Sequence, residues 1–330
     1  MTMLTATATP DQPGRSCPLH YRYAPAVFNR AAEIHAETLY VIGGLYGNPF
    51  ALERIFAIAQ QETVTPTLVF NGDFNWFNID DANFRDINLA VLEHYALRGN
   101  VETELANNDT KDGAGCGCAY PENVSDTEVE YSNRIMAELQ ATAANFPQIR
   151  QRLAALPMHL VAEVGGVKIG VVHGDAHSLA GWDFSRETLS NPAAIKALQH
   201  DFINANVNIF ASSHTCLPAL KTVPMINDAG RDVAGVIVNN GSAGMANFCD
   251  TTHGLITRIS SRPFASGGAD AVSQSATRAG DLYIDLLRVD FDSAAWTQMF
   301  LSNWREGSAA HASYFERITR GPVFAGDALL

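Results

Sequence analysis

The stretch Asn208-Ile209-Phe210-Ala211-Ser212-Ser213-His214-Thr215-Cys216 is a short apolar run that changes into small polar residues and then into two residues able to bind metal. Its length and composition are typical of a buried strand, so we expect a strand that carries a histidine and a thiol at its carboxyl end. A single histidine in such a place is more often a hydrogen-bonded loop residue than a ligand. The stretch supports a metal site because other loops along the chain also carry residues able to bind metal.

Composition limits the classes of protein to consider. The chain has 330 residues, 47% of them hydrophobic, which is enough for a substantial core. Its net charge is −13, and it has no Lys/Arg cluster of the kind that binds nucleic-acid phosphates. We therefore expect no nucleic acid as partner, whereas a small anionic substrate held by a metal stays open. No apolar run approaches the roughly 20 residues that cross a bilayer, so no membrane partner is expected either.

The cysteines and the N-terminal segment indicate the compartment. The segment through Pro13 has neither the charged region nor the apolar run of a secretory signal. An odd number of cysteines in such a chain favours free or metal-bound thiols over a disulfide framework. We expect a cytoplasmic protein. The five cysteines are Cys17, Cys116, Cys118, Cys216 and Cys249.

The order of predicted elements indicates one large α/β domain. Residues 1–37 are predicted to be an N-terminal arm laid over a single domain of residues 38–330. Two strand–loop–helix units open this domain, and the second helix is predicted to run past Tyr95 to a stop at Gly99. A Gly-rich insertion that contains cysteines spans residues 106–126, and a tail begins at about residue 292. Substrate specificity is expected in this insertion, in the loop 175–190 and in the tail.

Polar side chains with metal-binding capacity follow several element ends. In layered α/β folds, loops at one edge of a sheet converge on a single site. One carboxylate, one amide oxygen and two imidazoles suit Mn²⁺, Fe²⁺ or Zn²⁺ better than Ca²⁺ or Mg²⁺. The four residues are Asp73, Asn100, His173 and His214, of which Asn100 is expected to follow a helix.

Short motifs around these residues resemble those of the calcineurin-like metallophosphoesterases in order and in strand context. Across residues 38–245 the matches are Gly72-Asp73, Gly99-Asn100, His173-Gly174 and Ser213-His214. The resemblance implies a four-layer α/β/β/α sandwich of two mixed sheets flanked by helices. It also implies a centre of one or two divalent metal ions, in which the four residues above hold one ion and Asp73 bridges to a second.

The chain departs from the family at the second ion. Gly44 and Tyr46 stand where the family has an aspartate and a histidine, and Cys216 replaces a further histidine. Val101 replaces the histidine that usually assists the leaving group. We therefore hypothesise that Cys216, with Cys116 and Cys118, supplies a substitute second site, because thiolates bind Zn or Fe tightly. Plain buried or surface thiols, or a redox pair at Cys116 and Cys118, remain open.

The resemblance implies metal-dependent hydrolysis of a phosphoric ester, a phosphomonoester or a phosphodiester, at a low rate because the second ion's ligands are missing. With Val101 unable to donate a proton, the candidate catalytic residues are His177, Glu102 and Tyr46, and Arg98 is a candidate for binding the substrate phosphate. Two alternatives stay open. One is a degenerate relative that binds a ligand or partner, and the other is a thiolate–metal centre with chemistry that does not involve phosphate.

Overall fold

The protein is described by a computed structural model that covers residues 13–107, 114–226, 232–264 and 273–322. In chain order its strands are β1 (Ile34–Ala36), β2 (Thr38–Ile42), β3 (Thr67–Asn71), β4 (Tyr95–Leu97), β5 (His159–Val164), β6 (Val167–Val172), β7 (Ile209–Ser212), β8 (Pro218–Ile226), β9 (Asp232–Asn240), β10 (Gly254–Ser260), β11 (Ser273–Ala279) and β12 (Leu282–Val289). The α-helices are α1 (Pro49–Ala59), α2 (Asp81–Val91), α3 (Asn100–Ala106), α4 (Asp126–Ala144), α5 (Pro147–Ala154), α6 (Arg186–Ser190), α7 (Ile195–Ala205), α8 (Ser293–Asn303) and α9 (Ala309–Arg320).

The strands form two mixed sheets of six. One sheet has the order β11-β12-β10-β2-β3-β4, and the other has the order β1-β5-β6-β7-β9-β8. Helices pack on the outer face of each sheet, so the architecture is the predicted α/β/β/α sandwich. This expectation is confirmed.

Strand β2 shows why the sequence forms buried layers. All five of its residues are buried. Leu39 and Val41 point into the core between the sheets, whereas Tyr40 and Ile42 point toward the helices. Alternate side chains thus meet two apolar environments, which explains a nearly continuous hydrophobic run.

Parallel strands bring the functional loops to one edge. Strands β2, β3 and β4 are parallel in the first sheet, as are β6, β7 and β9 in the second. Their carboxyl ends therefore lie at the same edge of the sandwich, where the loops can meet.

The predicted helix through Tyr95 is wrong. Helix α2 ends at Val91, and Tyr95–Leu97 forms β4, which pairs with Val69–Asn71 of β3. Pairing with a distant strand outweighs the local helical periodicity here. Asn100 consequently follows a short strand, as Asp73, His173 and His214 do.

The described parts of the predicted arm, insertion and tail all pack against the rest of the chain. The N-terminal arm includes β1, which pairs in parallel with β5 and completes the edge of the second sheet. The arm also buries Tyr21 and Phe28 completely. Residues 108–113 of the predicted insertion lie outside the described residues, but the rest of it packs into the domain. The tail forms α8 and α9, and α9 packs against α4.

In the part of the chain that the structure describes, no helix combines the length and apolar character needed to cross a membrane.

Candidate metal centre

Asp73 and Asn100 lie close together because two glycines permit it. Asp73 adopts a positive φ of 52° in the turn after β3. A Cβ on Gly99 would lie 2.3 Å from Oδ1 of Asp73, and a Cβ on Gly72 would lie 2.5 Å from the Gly99 nitrogen. Side chains at these two positions would separate the turn from α3, so the glycines are a condition for the site.

The two histidines complete a buried cluster with Asp73 and Asn100. Nε2 of His173 lies 3.3 Å from Oδ1 of Asp73, 3.2 Å from Oδ1 of Asn100 and 3.1 Å from Nδ1 of His214. The ligand atoms of Asp73, His173 and His214 all lie within 4.8 Å of one another. The structure thus brings together the four residues to which the sequence assigned one metal ion.

Outer hydrogen bonds set the orientation of both imidazoles. The Nδ1–H of His173 donates to the Asn71 carbonyl at 2.8 Å, and the Nε2–H of His214 donates to the Cys118 carbonyl at 3.1 Å. Each ring therefore turns the lone pair of its other nitrogen into the cluster. Two lone pairs at 3.1 Å repel each other unless a cation, a proton or a metal ion, lies between them.

The amide and the carboxylate are oriented in the same way. Nδ2 of Asn100 donates to the Cys116 carbonyl at 2.8 Å, which leaves its Oδ1 beside His173. The Val101 N–H donates to Oδ1 of Asp73 at 3.2 Å. One carboxylate, one amide oxygen and two imidazole nitrogens of fixed orientation fit a divalent transition metal.

The protonation states of Asp73 and His214 suit metal binding, whereas His173 favours a proton that a metal ion would have to displace. Burial, together with the neighbouring His173, lowers the pKa of His214 to about 3, so its ring is neutral at pH 7. Burial opposes the ionisation of Asp73, but His173 and His214 outweigh it and hold the pKa of that carboxyl below its usual value. Burial opposes protonation of His173 too, and there the nearby Asp73 outweighs it and raises the pKa. An ionised carboxylate and a neutral imidazole are the forms that bind metals.

Glu102 holds the loop that carries Asp73 and does not face the cavity above the cluster. Its Oε2 accepts the N–H groups of Asp73 at 2.7 Å and Gly99 at 3.1 Å. Its Oε1 accepts those of Phe74 at 3.0 Å and Asn75 at 3.2 Å. Burial and the charge of Asp73 raise its pKa to about 7. Its interactions are those of a positioning residue, contrary to the predicted catalytic role.

Tyr46 and Cys216 fill the place where the resemblance implies ligands of a second ion. The phenol oxygen lies 2.8 Å from the Cys216 sulfur, and both residues have positive φ, 56° and 58°. A Cβ on Gly44 would lie 3.0 Å from Cζ of Tyr46 and 3.1 Å from its hydroxyl. The tyrosine ring therefore takes up the space that an aspartate at position 44 would need.

The structure does not bring the three thiols of the proposed second site together. Within the described residues, the group of Asp73, His173 and His214 is the only set of three or more His, Cys, Asp or Glu that could share an ion. The Cys216 sulfur contacts Tyr46, whereas Cys118 contacts the Cys116 carbonyl and the Asn100 amide. Burial raises the pKa of the Cys118 and Cys216 thiols, which disfavours thiolates. A thiolate site is not supported.

A cavity of about 250 Å³ opens above the cluster. Asp73, Asn100 and His214 line it, together with Val101. Its wall draws on all three segments in which we expected specificity, the insertion, the loop 175–190 and the tail. Five tyrosine and tryptophan side chains belong to that wall: Tyr46, Trp76, Tyr120, Trp182 and Tyr314.

Two further predicted site residues lie away from the cavity. Nε2 of His177 pairs with Oδ1 of Asp201 at 2.8 Å, and the His177 side chain is 49% exposed. Nη1 of Arg98 donates to the Ala154 carbonyl at 3.4 Å, at the end of α5. Both side chains point away from the site even though their backbones are close to it in the sequence.

Sequence reasoning missed Arg317. This residue of α9 lines the cavity and donates from Nη2 to the Cys216 carbonyl. Ser313 and Tyr314, four and three positions earlier, line the cavity too, as expected for one face of a helix. The helical spacing was readable from the sequence, but the packing of that face against the site was not.

Similarity to known proteins supports the fold and no specific activity or substrate. No family model and no curated protein matches the sequence. A metallophosphoesterase from Sphaerobacter thermophilus superposes with a TM-score of 0.54 at 13% identity, over 86% of this chain and 100% of that one. A hypothetical protein from Pyrococcus horikoshii OT3 gives 0.53 at 15% identity, over 88% and 99%. The chain has the calcineurin-like metallophosphoesterase fold, as its motifs predicted.

Proposed function

We propose that this protein hydrolyses a small phosphoric ester with one divalent transition-metal ion, Mn, Fe or Zn, held by Asp73, Asn100, His173 and His214. The observation that carries the proposal is the convergence of four lone-pair donors of fixed orientation at the floor of a cavity. A metal bound there polarises a phosphoryl oxygen and lowers the pKa of a bound water for in-line attack. The fold shared with a metallophosphoesterase supports the same class of chemistry.

Leaving-group protonation falls to Tyr46 in this proposal. Val101 lines the cavity and cannot donate a proton, and Tyr46 is the one predicted proton donor that also lines it. Burial, together with the nearby Cys216 and Asp73, raises the pKa of the phenol well above its ordinary value. The hydroxyl keeps its proton at neutral pH and is a weak acid, so hydrolysis is slow and esters with good leaving groups are favoured.

A ligand-binding role without hydrolysis is the second candidate. It is favoured by the Tyr46–Cys216 contact, which fills the place of a second ion's ligands, and by the apolar residue at position 101. In this case the metal and the cavity bind an anionic ligand and release it unchanged.

Metal analysis combined with an ester panel tests the proposal. The protein as isolated, and after loading with Mn, Fe or Zn, is assayed with p-nitrophenyl phosphate and bis(p-nitrophenyl) phosphate. We expect about one ion per chain and slow turnover, with both lost in Asp73→Asn. Asp201→Asn, which changes the His177 pair outside the cavity, is the matched control and retains both.

The outcomes separate the candidates. Turnover that persists in a metal-free Asp73→Asn variant overturns the proposed chemistry. One bound ion, no turnover of any ester and a rise in melting temperature with inorganic phosphate select the ligand-binding role. Wild-type protein that takes up no metal contradicts both.

A further inference from the structure

Arg317 has a hydrogen-bonding capacity that the fold does not use. Its Nη2 donates to the Cys216 carbonyl, which anchors the guanidinium at the cavity. Its Nε is buried and has no hydrogen-bond partner among the described residues. A buried donor without an acceptor is costly, so a site that keeps one is suited to an acceptor supplied by a ligand.

The position of Arg317 matters as much as its free donor. Arg317 donates a hydrogen bond to the Cys216 carbonyl. Cys216 contacts Tyr46, and these two residues stand where the resemblance implies ligands of a second ion. Its charge is close enough to Tyr46 to oppose the rise in that phenol's pKa, which burial causes. Among the described residues that line the cavity, Arg317 is the only Lys or Arg. The site therefore has one intact set of metal ligands and, beside it, one guanidinium.

We propose that Arg317 and the Tyr46 hydroxyl form an oxyanion-binding subsite that takes the place of the second metal ion. A guanidinium is permanently charged and presents several N–H donors in a plane that matches two oxygens of a phosphate. Tyr46 adds an O–H donor beside it when the hydroxyl turns from the Cys216 sulfur to the ligand. As a subsite for the substrate's phosphoryl group it rests on the proposed function, but its affinity for an oxyanion is measurable without turnover.

The subsite explains how one ion can suffice for binding. In a two-ion centre the second ion contributes positive charge and orients the phosphoryl oxygens. Arg317 and Tyr46 reproduce the charge and the orientation. They cannot generate a nucleophile from water, so the subsite contributes to affinity and positioning.

Equilibrium binding of inorganic phosphate tests the subsite. Isothermal calorimetry is carried out on metal-loaded wild type, Arg317→Met, Arg317→Lys and Tyr46→Phe. Methionine retains most of the apolar stem without the charge. Arg320→Met, which removes an exposed arginine of the same helix, is the control for net charge. Metal content and circular dichroism verify that each variant has an intact centre and fold.

We expect Arg317→Met to weaken phosphate binding by about tenfold or more, the usual loss for a hydrogen bond to a charged group. Arg317→Lys should give an intermediate affinity, because it keeps the charge and loses the planar donors. Tyr46→Phe should weaken binding less than Arg317→Met, and Arg320→Met should leave it unchanged within about twofold. Added guanidinium ion should restore part of the affinity in Arg317→Met but not in wild type.

Unchanged phosphate affinity in a folded, metal-loaded Arg317→Met variant overturns the subsite. If Arg317→Met does not fold, equal affinity in Arg317→Lys and wild type overturns it. Arg317-dependent phosphate binding without turnover leaves the subsite standing and removes the proposed hydrolysis. Turnover in a protein whose phosphate affinity does not depend on Arg317 overturns the subsite and leaves the proposed hydrolysis standing.

Discussion

The phenol oxygen of Tyr46 lies 2.8 Å from the sulfur of Cys216. The two residues come from loops after β2 and β7, in different sheets, and both have positive φ. Their contact closes the part of the site next to Asp73, where the resemblance implies ligands for a second ion. In the proposed one-ion centre, these two side chains occupy the place of the second ion's ligands.

Cys216→Ser should leave the metal content at the wild-type value, because the sulfur contacts the Tyr46 hydroxyl and the His214 backbone carbonyl and none of the ligand atoms of the cluster. His214→Gln should abolish binding, since it removes an inward nitrogen. Metal analysis after gel filtration checks both variants. Loss of the ion in Cys216→Ser would revive the thiolate hypothesis.

Gly99→Ala should weaken metal binding by about tenfold or more, because its Cβ would lie 2.3 Å from Oδ1 of Asp73 and displace a ligand. Gly235→Ala is the matched control. Its Cβ would lie 2.7 Å from the Phe202 ring, in a core away from the site. Both variants should have a lower melting temperature than wild type. Equal metal affinity in the two would contradict the role assigned to Gly99.

Glu102→Gln should lower the free energy of unfolding by about 3 kcal/mol, since an amide NH₂ would face two buried N–H groups that now have an acceptor. Urea denaturation measures the change. Glu130→Gln, which breaks an exposed pair with Arg134 on α4, should cost less than about 0.5 kcal/mol. A loss below about 1 kcal/mol in Glu102→Gln would show that the loop does not depend on its carboxylate.

Aromatic phosphonates should bind better than alkyl phosphonates, because several tyrosine and tryptophan side chains line the cavity. Trp182 is central to this expectation. Its ring lies 5.4 Å from that of His214, and its Nε1 donates to the Cys118 carbonyl at 3.1 Å. Trp182→Leu should weaken phenylphosphonate by about three- to tenfold and leave methylphosphonate nearly unchanged. Equal losses for the two ligands would argue against stacking.

His159 should make stability sensitive to acid. Burial, reinforced by Arg30, lowers its pKa to about 4, against about 6.5 in the unfolded chain. Between these values the unfolded state binds a proton that the folded state does not, so stability falls as pH decreases from about 6.5 to 4.

The size of this effect is about 1 kcal/mol after allowance for the partial exposure of the ring. In His159→Gln the loss of stability between pH 7 and pH 4.5 should shrink by about that amount in urea denaturation. His35→Gln, in which the replaced side chain is 68% exposed, is the matched control. An unaltered slope in His159→Gln would exclude His159 as the source.

The sandwich was predictable because buried strands and the polar residues at their ends follow local rules. Strand β7, Ile209–Ser212, lies within the stretch in which the sequence predicts a buried strand. The error at Tyr95–Leu97 has a physical cause. A three-residue strand pairs with β3 across the intervening helix α2, and the helical periodicity of the local sequence does not reveal that pairing.

The candidate site was predictable in part for a similar reason. Asp73, Asn100, His173 and His214 follow strand ends, so topology alone brings their backbones together. Side-chain direction is not encoded in this way, and His177 and Arg98 therefore point elsewhere. Arg317 reaches the site through the packing of α9, a tertiary contact between residues 101 positions apart.

The late position of α9 has a consequence for biosynthesis. All four metal-ligand residues precede it by about a hundred residues or more, and domains begin to fold from their N-terminal side while the ribosome is still at work. A nascent or prematurely terminated chain can present its metal ligands before the helix that carries Arg317 exists. If the guanidinium is needed to hold the anion, as proposed, the anion-binding subsite stays incomplete until translation has passed residue 317, although the four candidate metal ligands are already present.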